Sequence, residues 1–127
     1  MMRFSHSFLV SPDDIDEQSH VNNVAFVSWI QDIAVAHWRH AASDEMLSKY
    51  SWILIRHEID YKKQAFEGQE ITATTWVGEW TKITCERFTE IHRDDDLLVK
   101  SRTVWCMIDR ETKRPAKINR ELIEEFA

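Results

Sequence analysis

The stretch Asp14-Ile15-Asp16-Glu17-Gln18-Ser19-His20-Val21-Asn22-Asn23, running on into Val24-Ala25-Phe26-Val27-Ser28-Trp29-Ile30, decides how this chain is read. It sets carboxylates, an imidazole and amides directly before a strongly apolar segment. From about Asn23 to Ala42, apolar residues at Val24, Val27, Ile30, Ala34 and Trp38, joined by Phe26, Ile33 and Ala41, recur at helical spacing. They leave a narrow outward stripe of Ser28, Asp32, Val35 and Arg39. The spacing predicts a mostly buried helix, with Asn22 or Asn23 capping its start and Ser43-Asp44-Glu45 ending the apolar pattern. A helix start leaves backbone N–H groups unpaired and carries partial positive charge, so beside an upstream carboxylate it can polarise a carbonyl or hold an oxyanion.

On either side of this helix the pattern changes to strands. Phe4, Phe8 and Val10 share a side of a short strand from Met2 to Val10, which Pro12 and the acidic cluster break. After Tyr50, Ile53, Ile55, Ile59 and Tyr61 alternate with Leu54, Arg56, Glu58 and Asp60. A turn at Phe66-Glu67-Gly68 leads into a strand from Ile71 to Gly78, and a further strand runs from about Lys82 to His92. The acidic turn Arg93-Asp94-Asp95-Asp96 separates that strand from Leu97 to Asp109, and Asn119 caps a short final helix ending near Phe126. The order is β-α-β-β-β-β, an α+β arrangement.

At 127 residues the chain makes one domain, residues 1–127, with no internal repeat or linker. Two Gly and two Pro against six Trp and six Phe read as an ordered chain. A formal charge of −6 argues against nucleic acid as a bulk partner, since phosphate binding draws on clustered Lys and Arg. No apolar run approaches the roughly 20 residues needed to span a bilayer. Cys85 and Cys106 form neither a CxxC pair nor a disulfide framework, and the N-terminus lacks a signal peptide's apolar core, so a cytoplasmic protein with reduced thiols is expected.

The first motif, Asp-x-Asp-x-x-x-His-Val-Asn-Asn followed by Phe26 and Trp29, resembles the start of the central helix of hotdog-fold acyl thioesterases. The resemblance extends over most of the chain. Ile55-Arg56-His57-Glu58-Ile59-Asp60-Tyr61 with Ala65-Phe66-Glu67-Gly68-Gln69-Glu70-Ile71 is similar to a second family block, and Trp105-Cys106-Met107-Ile108-Asp109 with Arg114-Pro115 to the last strand and its loop. It implies a hotdog fold, an antiparallel sheet wrapped around one long central helix. Two branches stand nearest, 4-hydroxybenzoyl-CoA thioesterase-like enzymes and acyl-ACP thioesterases. In the first branch Asp16 falls on the catalytic carboxylate, and Asn23 where a backbone amide meets the thioester carbonyl. In the second, the proposed site residues fall at Asp16, Gln18, His20 and Glu58. The catalytic candidates are therefore Asp16, His20 and Glu58, with Gln18, Asn22 and Asn23 as substrate-binding candidates.

Three departures accompany the resemblance. Ser19 replaces a Gly that often precedes the His-Val-Asn-Asn run, Gln18 stands where the acyl-ACP branch has Asn, and simple alternation puts Glu58 on the face opposite Ile55 and Ile59. Glu58 therefore needs a bulge or a partner subunit to approach Asp16.

The implied function is hydrolysis of an acyl-CoA without metal or cofactor. The alternatives are an acyl-ACP thioesterase or a non-catalytic acyl-thioester binding module. A homo-oligomer, dimer or tetramer, is expected, because the second strand is apolar on both faces and one helix cannot cover both. Lys62, Lys63, Lys113, Arg114 and Lys117 are the densest positive clusters and the expected docking surface for CoA phosphates or ACP. His37 and His40 stand three apart with no third ligand in evidence, and Cys85 and Cys106 read as packing residues.

Overall fold

The computed structural model describes residues 2–127. Strand β1 (Phe4–Leu9) and a turn of 3-10 helix (Pro12–Asp14) precede helix α1 (Asn23–Ala41) and the short helix α2 (Asp44–Lys49). Strands β2 (Tyr50–Tyr61), β3 (Glu70–Trp80), β4 (Thr84–Arg93) and β5 (Asp96–Asp109) follow, and α3 (Arg120–Glu124) closes the chain. The five strands form one antiparallel sheet in the order β1-β3-β4-β5-β2. β1 and β2, neighbours along the chain, thus lie at opposite edges, and α1 lies between them in sequence. This is the hotdog arrangement.

Helix α1 forms where its periodicity predicts. Asn22 caps it, its side-chain oxygen accepting the Ala25 N–H at 2.8 Å. Ala25, Phe26, Ile30, Ile33, Ala34, His37 and Trp38 are buried, while Ser28, Asp32, Val35 and Arg39 are exposed. Two apolar clusters divide the core along the helix. The first gathers Val21, Phe26, Ile30, Ile71, Val99 and their neighbours, and the second Trp38, Met46, Met107, Leu122 and Phe126. Between them the inward sheet face carries the buried polar groups Thr75, Arg87, Thr89, Ser101 and Thr103.

One local expectation is extended and one corrected. α1 ends at Ala41, just before Ser43-Asp44-Glu45 as expected, and Ser43 also caps α2, its hydroxyl accepting the Met46 N–H at 3.2 Å, with Met46 joining the second cluster. In β2 the single alternating series breaks, because the register against β5 shifts between Leu54 and Arg56. Ile55 is the extra residue of a bulge. Before it Trp52 packs inward on the second cluster, and after it Ile59 packs on the first, so Ile53 and Ile55 are left 52% and 56% exposed.

Candidate active site

The chain between the 3-10 turn and α1 folds back on itself as a miniature hairpin. Ile15 and Val21 bridge antiparallel, the Asp16 N–H donates to the His20 carbonyl at 2.9 Å, and the Ser19 N–H donates to the Asp16 carbonyl at 3.1 Å. Ser19 takes the left-handed conformation at φ 66°, so the tight turn usually supplied by Gly is kept here with a serine. The loop is closed at its base by Asn22 N–H to the Asp14 carbonyl at 3.0 Å and anchored to the body by Val21 N–H to the Ala65 carbonyl at 2.8 Å. Asp14 itself is spent on structure, its carboxylate accepting the Ser11 N–H at 3.2 Å.

This hairpin brings three of the candidate side chains together. The Asp16 carboxylate accepts the Gln18 N–H at 2.8 Å, and its other oxygen lies 3.3 Å from His20 Nδ1. His20 Nε2 lies 3.1 Å from Gln18 Oε1. Each ring nitrogen of His20 thus faces a side-chain oxygen. The side chains of Asp16 and His20 are 30% and 21% exposed, enough for a substrate to reach them. Asn22 caps the helix, and Asn23 and Val24 open it. Their N–H groups have no protein acceptor among the described residues, and the Val24 side chain stands 74% exposed beside them. A carboxylate, an imidazole and free helix amides thus share one accessible end of the molecule.

Glu58 does not join them within the chain. Past the bulge, Glu58 points to the sheet face away from α1, where its carboxylate meets Arg56 at 2.8 Å and Arg102 at 3.5 Å. Arg102 in turn holds Glu86 at 2.6 Å. The basic positions do not form one surface either. β2 pairs with β5 from Tyr50↔Asp109 to Tyr61↔Val99, so Lys62 and Lys63 lie at one end of that ladder and Lys113 and Arg114 at the other. Eleven residue steps of strand separate them, roughly 35 Å. Lys63 is also paired, to Asp96 at 2.8 Å, while Lys62 lies at the Val21–Ala65 end, beside the candidate site.

His37 and Arg87 form a buried polar pair apart from the Asp16 loop, and the sequence reading did not single out Arg87. His37 is fully buried with Nδ1 2.9 Å from Arg87 Nη1, and burial together with the Arg87 charge holds it down to about 4. The signal was present. In Cys85-Glu86-Arg87-Phe88-Thr89 an arginine occupies the alternation phase of the inward residues Cys85 and Thr89.

Known proteins agree with this architecture. A predicted thioesterase from Bacillus stearothermophilus superposes with a TM-score of 0.88 at 22% identity, covering 98% of this chain and 94% of that one. The hypothetical protein SAV2348 from Staphylococcus aureus, solved in complex with CoA, superposes with a TM-score of 0.86 at 16% identity, over 98% and 81% of the two chains. In sequence, the chloroplastic palmitoyl-acyl carrier protein thioesterase of Gossypium hirsutum is 23% identical over 134 aligned residues, covering 97% of this chain. The chain spans about a third or less of the length of the curated relatives it matches. Residues 1–126 match the family model of the acyl-ACP thioesterase N-terminal domain, and the chain belongs to that family, a group of hotdog-fold acyl thioesterases.

Proposed function

We propose that this chain hydrolyses acyl thioesters at the start of α1, with Asp16 as general base or nucleophile. The observation that carries the reading is the Asp16–His20–Gln18 cluster set directly before the unpaired amides of Asn23 and Val24. The chemistry asks for little more. A thiol with a pKa near 8.5 leaves readily as thiolate, so the demands are an oxyanion site and a carboxylate. The Asn23 amide takes the developing oxyanion. Asp16 either removes a proton from the attacking water or adds to the carbonyl itself, with water then cleaving the resulting anhydride. In both routes the C–S bond breaks, a C–O bond to water's oxygen forms, and the proton shed by water reaches the thiolate, with His20 placed to carry it. Gln18 and Asn22 hold this geometry.

Acyl-CoA is the proposed substrate, with Lys62, which makes no ion pair among the described residues, proposed to meet its phosphates. The family match favours acyl-ACP as the second carrier. Release of free thiol by the wild-type chain from matched acyl-CoA and acyl-ACP substrates tests both readings, the preferred carrier showing the higher kcat/KM. Tight acyl-thioester binding with no thiol released from either would instead identify a binding module. Two unpaired thiols, Cys85 and Cys106, accord with the cytoplasm as the proposed location.

The proposed assembly is a homo-oligomer joined along β2. That strand is a sheet edge, and its Ile53 and Ile55 side chains stand exposed. A role for Glu58 in the reaction requires it to come from a second copy across this edge. Ile53→Lys with Ile55→Lys is expected to convert the protein to monomers in sedimentation at micromolar concentration. An unchanged oligomer would place the interface elsewhere, and a monomeric wild type would rule it out.

A further inference from the structure

Away from the Asp16 loop, between the C-terminal half of α1 and the sheet, lies a cavity of about 460 Å3. Trp38, Trp52, Trp80, Trp105 and Phe126 line it, so four of the six tryptophans of the chain face one space. Arg87 reaches its floor from β4 and is only 6% exposed. Both hydrogen bonds of its guanidinium run from Nη1, to His37 Nδ1 at 2.9 Å and to Thr75 Oγ1 at 3.1 Å. The Phe126 ring lies under the guanidinium, 5.8 Å from Cζ. Every one of these neighbours is neutral at pH 7. His37 is held down to about 4, and burial pushes the thiol of Cys85, also in the lining, up to about 12. Burial lowers Arg87 to about 10, which leaves it charged.

No Asp or Glu among the described residues lies within ion-pairing distance of Arg87. A buried cation without a counter-ion is costly, and proteins ordinarily pair it. The rest of the lining repeats the pattern. Arg39 and Arg110 also border the cavity and no carboxylate does, in a chain with 22 acidic against 16 basic residues. Arg110 is steadied there by donating from Nε to the Leu47 and Tyr50 carbonyls, each at 3.0 Å. With Nη1 occupied, the Nε–Nη2 edge of Arg87 is the fork that matches a carboxylate in a bidentate pair.

We propose that this cavity binds an apolar organic acid, its carboxylate on the Nε–Nη2 edge of Arg87 and its body among the tryptophans. The volume lies in the range of small-molecule pockets, and an apolar wall with one placed charge is their usual composition. The site does not depend on the proposed hydrolysis, since binding alone fills it. The carboxylate can belong to a free acid or to the far end of an acyl group still joined to its carrier.

Tryptophan fluorescence titrations with 4-phenylbutyrate and decanoate, each against its primary amide, test this on the wild-type protein. The acids are expected to bind at least about tenfold tighter than the amides, the scale of a charge-assisted hydrogen bond. Arg87→Gln should abolish that preference, and Trp105→Ala should weaken acid and amide alike. If Arg87→Gln does not fold, the wild-type comparison and Trp105→Ala still decide. Equal binding of acid and amide, or binding of neither, overturns the proposal. Tighter binding of decanoate than of the non-hydrolysable thioether S-(9-carboxynonyl)-CoA assigns the site to a free acid, and the reverse order assigns it to the acyl group. Because no turnover is read, failure here is distinct from failure of the hydrolase reading.

Discussion

The two ends of helix α1 handle charge in opposite ways. At its start Asp16 is partly exposed, and its partners Gln18 and His20 lie within four residues of it along the chain. Toward its end Arg87 is buried, and it is held by His37, fifty positions away, and Thr75, twelve away. The first arrangement is built by contacts between residues close in sequence, within one loop. The second exists only when helix and sheet have packed, so its energetics belong to the whole fold. The same contrast separates what a chain of letters discloses from what it conceals.

The distal end should respond strongly to acid. His37 is neutral in the folded protein with a pKa of about 4, against about 6.5 when unfolded. Above 6.5 neither state is protonated and the group does not affect stability. As pH falls below 6.5 the unfolded chain takes up a proton that the folded chain refuses, so stability is lost until about pH 4. By pH 4.5 the loss attributable to His37 should be of order 2–3 kcal/mol. Urea unfolding at pH 7 and 4.5 reads it, and His37→Gln, which keeps an acceptor for Arg87, should remove that part of the pH dependence. An identical acid loss in both proteins would mean that His37 is charged in the fold and that the distal end is not the neutral surround described.

The proximal end should respond weakly. Asn22→Ala removes the cap on Ala25 N–H and should cost about 1 kcal/mol in the same unfolding assay. A loss well above 2 kcal/mol would show the loop to be coupled to the core as tightly as Arg87, and the contrast between the ends would dissolve.

Local periodicity explains what was legible. The exposed stripe Ser28, Asp32, Val35 and Arg39 follows from helical spacing alone, and the Asp16–His20 hairpin lies within a single motif. The expected strands recur in β1 to β5 with small shifts at their ends. The bulge at Ile55 was not legible because pairing with β5 sets it, and Ile53-Leu54-Ile55 alternates equally well in either register. Its effect reaches Ile53 and Ile55, which leave the face that Ile59 and Tyr61 keep. Lys62 and Lys113 looked like parts of one patch because sequence carries no distance along an antiparallel ladder. Ser43-Asp44-Glu45 follows the end of α1 as expected, but the short helix α2 that it opens was not legible, since a cap that starts a new helix also interrupts the apolar pattern of the last one.

The central claim is that Asp16 does chemistry and does not merely complement the helix dipole. Thiol release by Asp16→Asn, measured against wild type on the best acyl thioester, tests it most directly. Asparagine keeps the shape and an acceptor for the Gln18 N–H but removes the charge. The account predicts a fall in kcat of about 10²-fold or more, with substrate binding little changed and stability altered by no more than about 0.3–1 kcal/mol. Hydrolysis at near the wild-type rate would contradict it and leave Asp16 a structural residue of the loop.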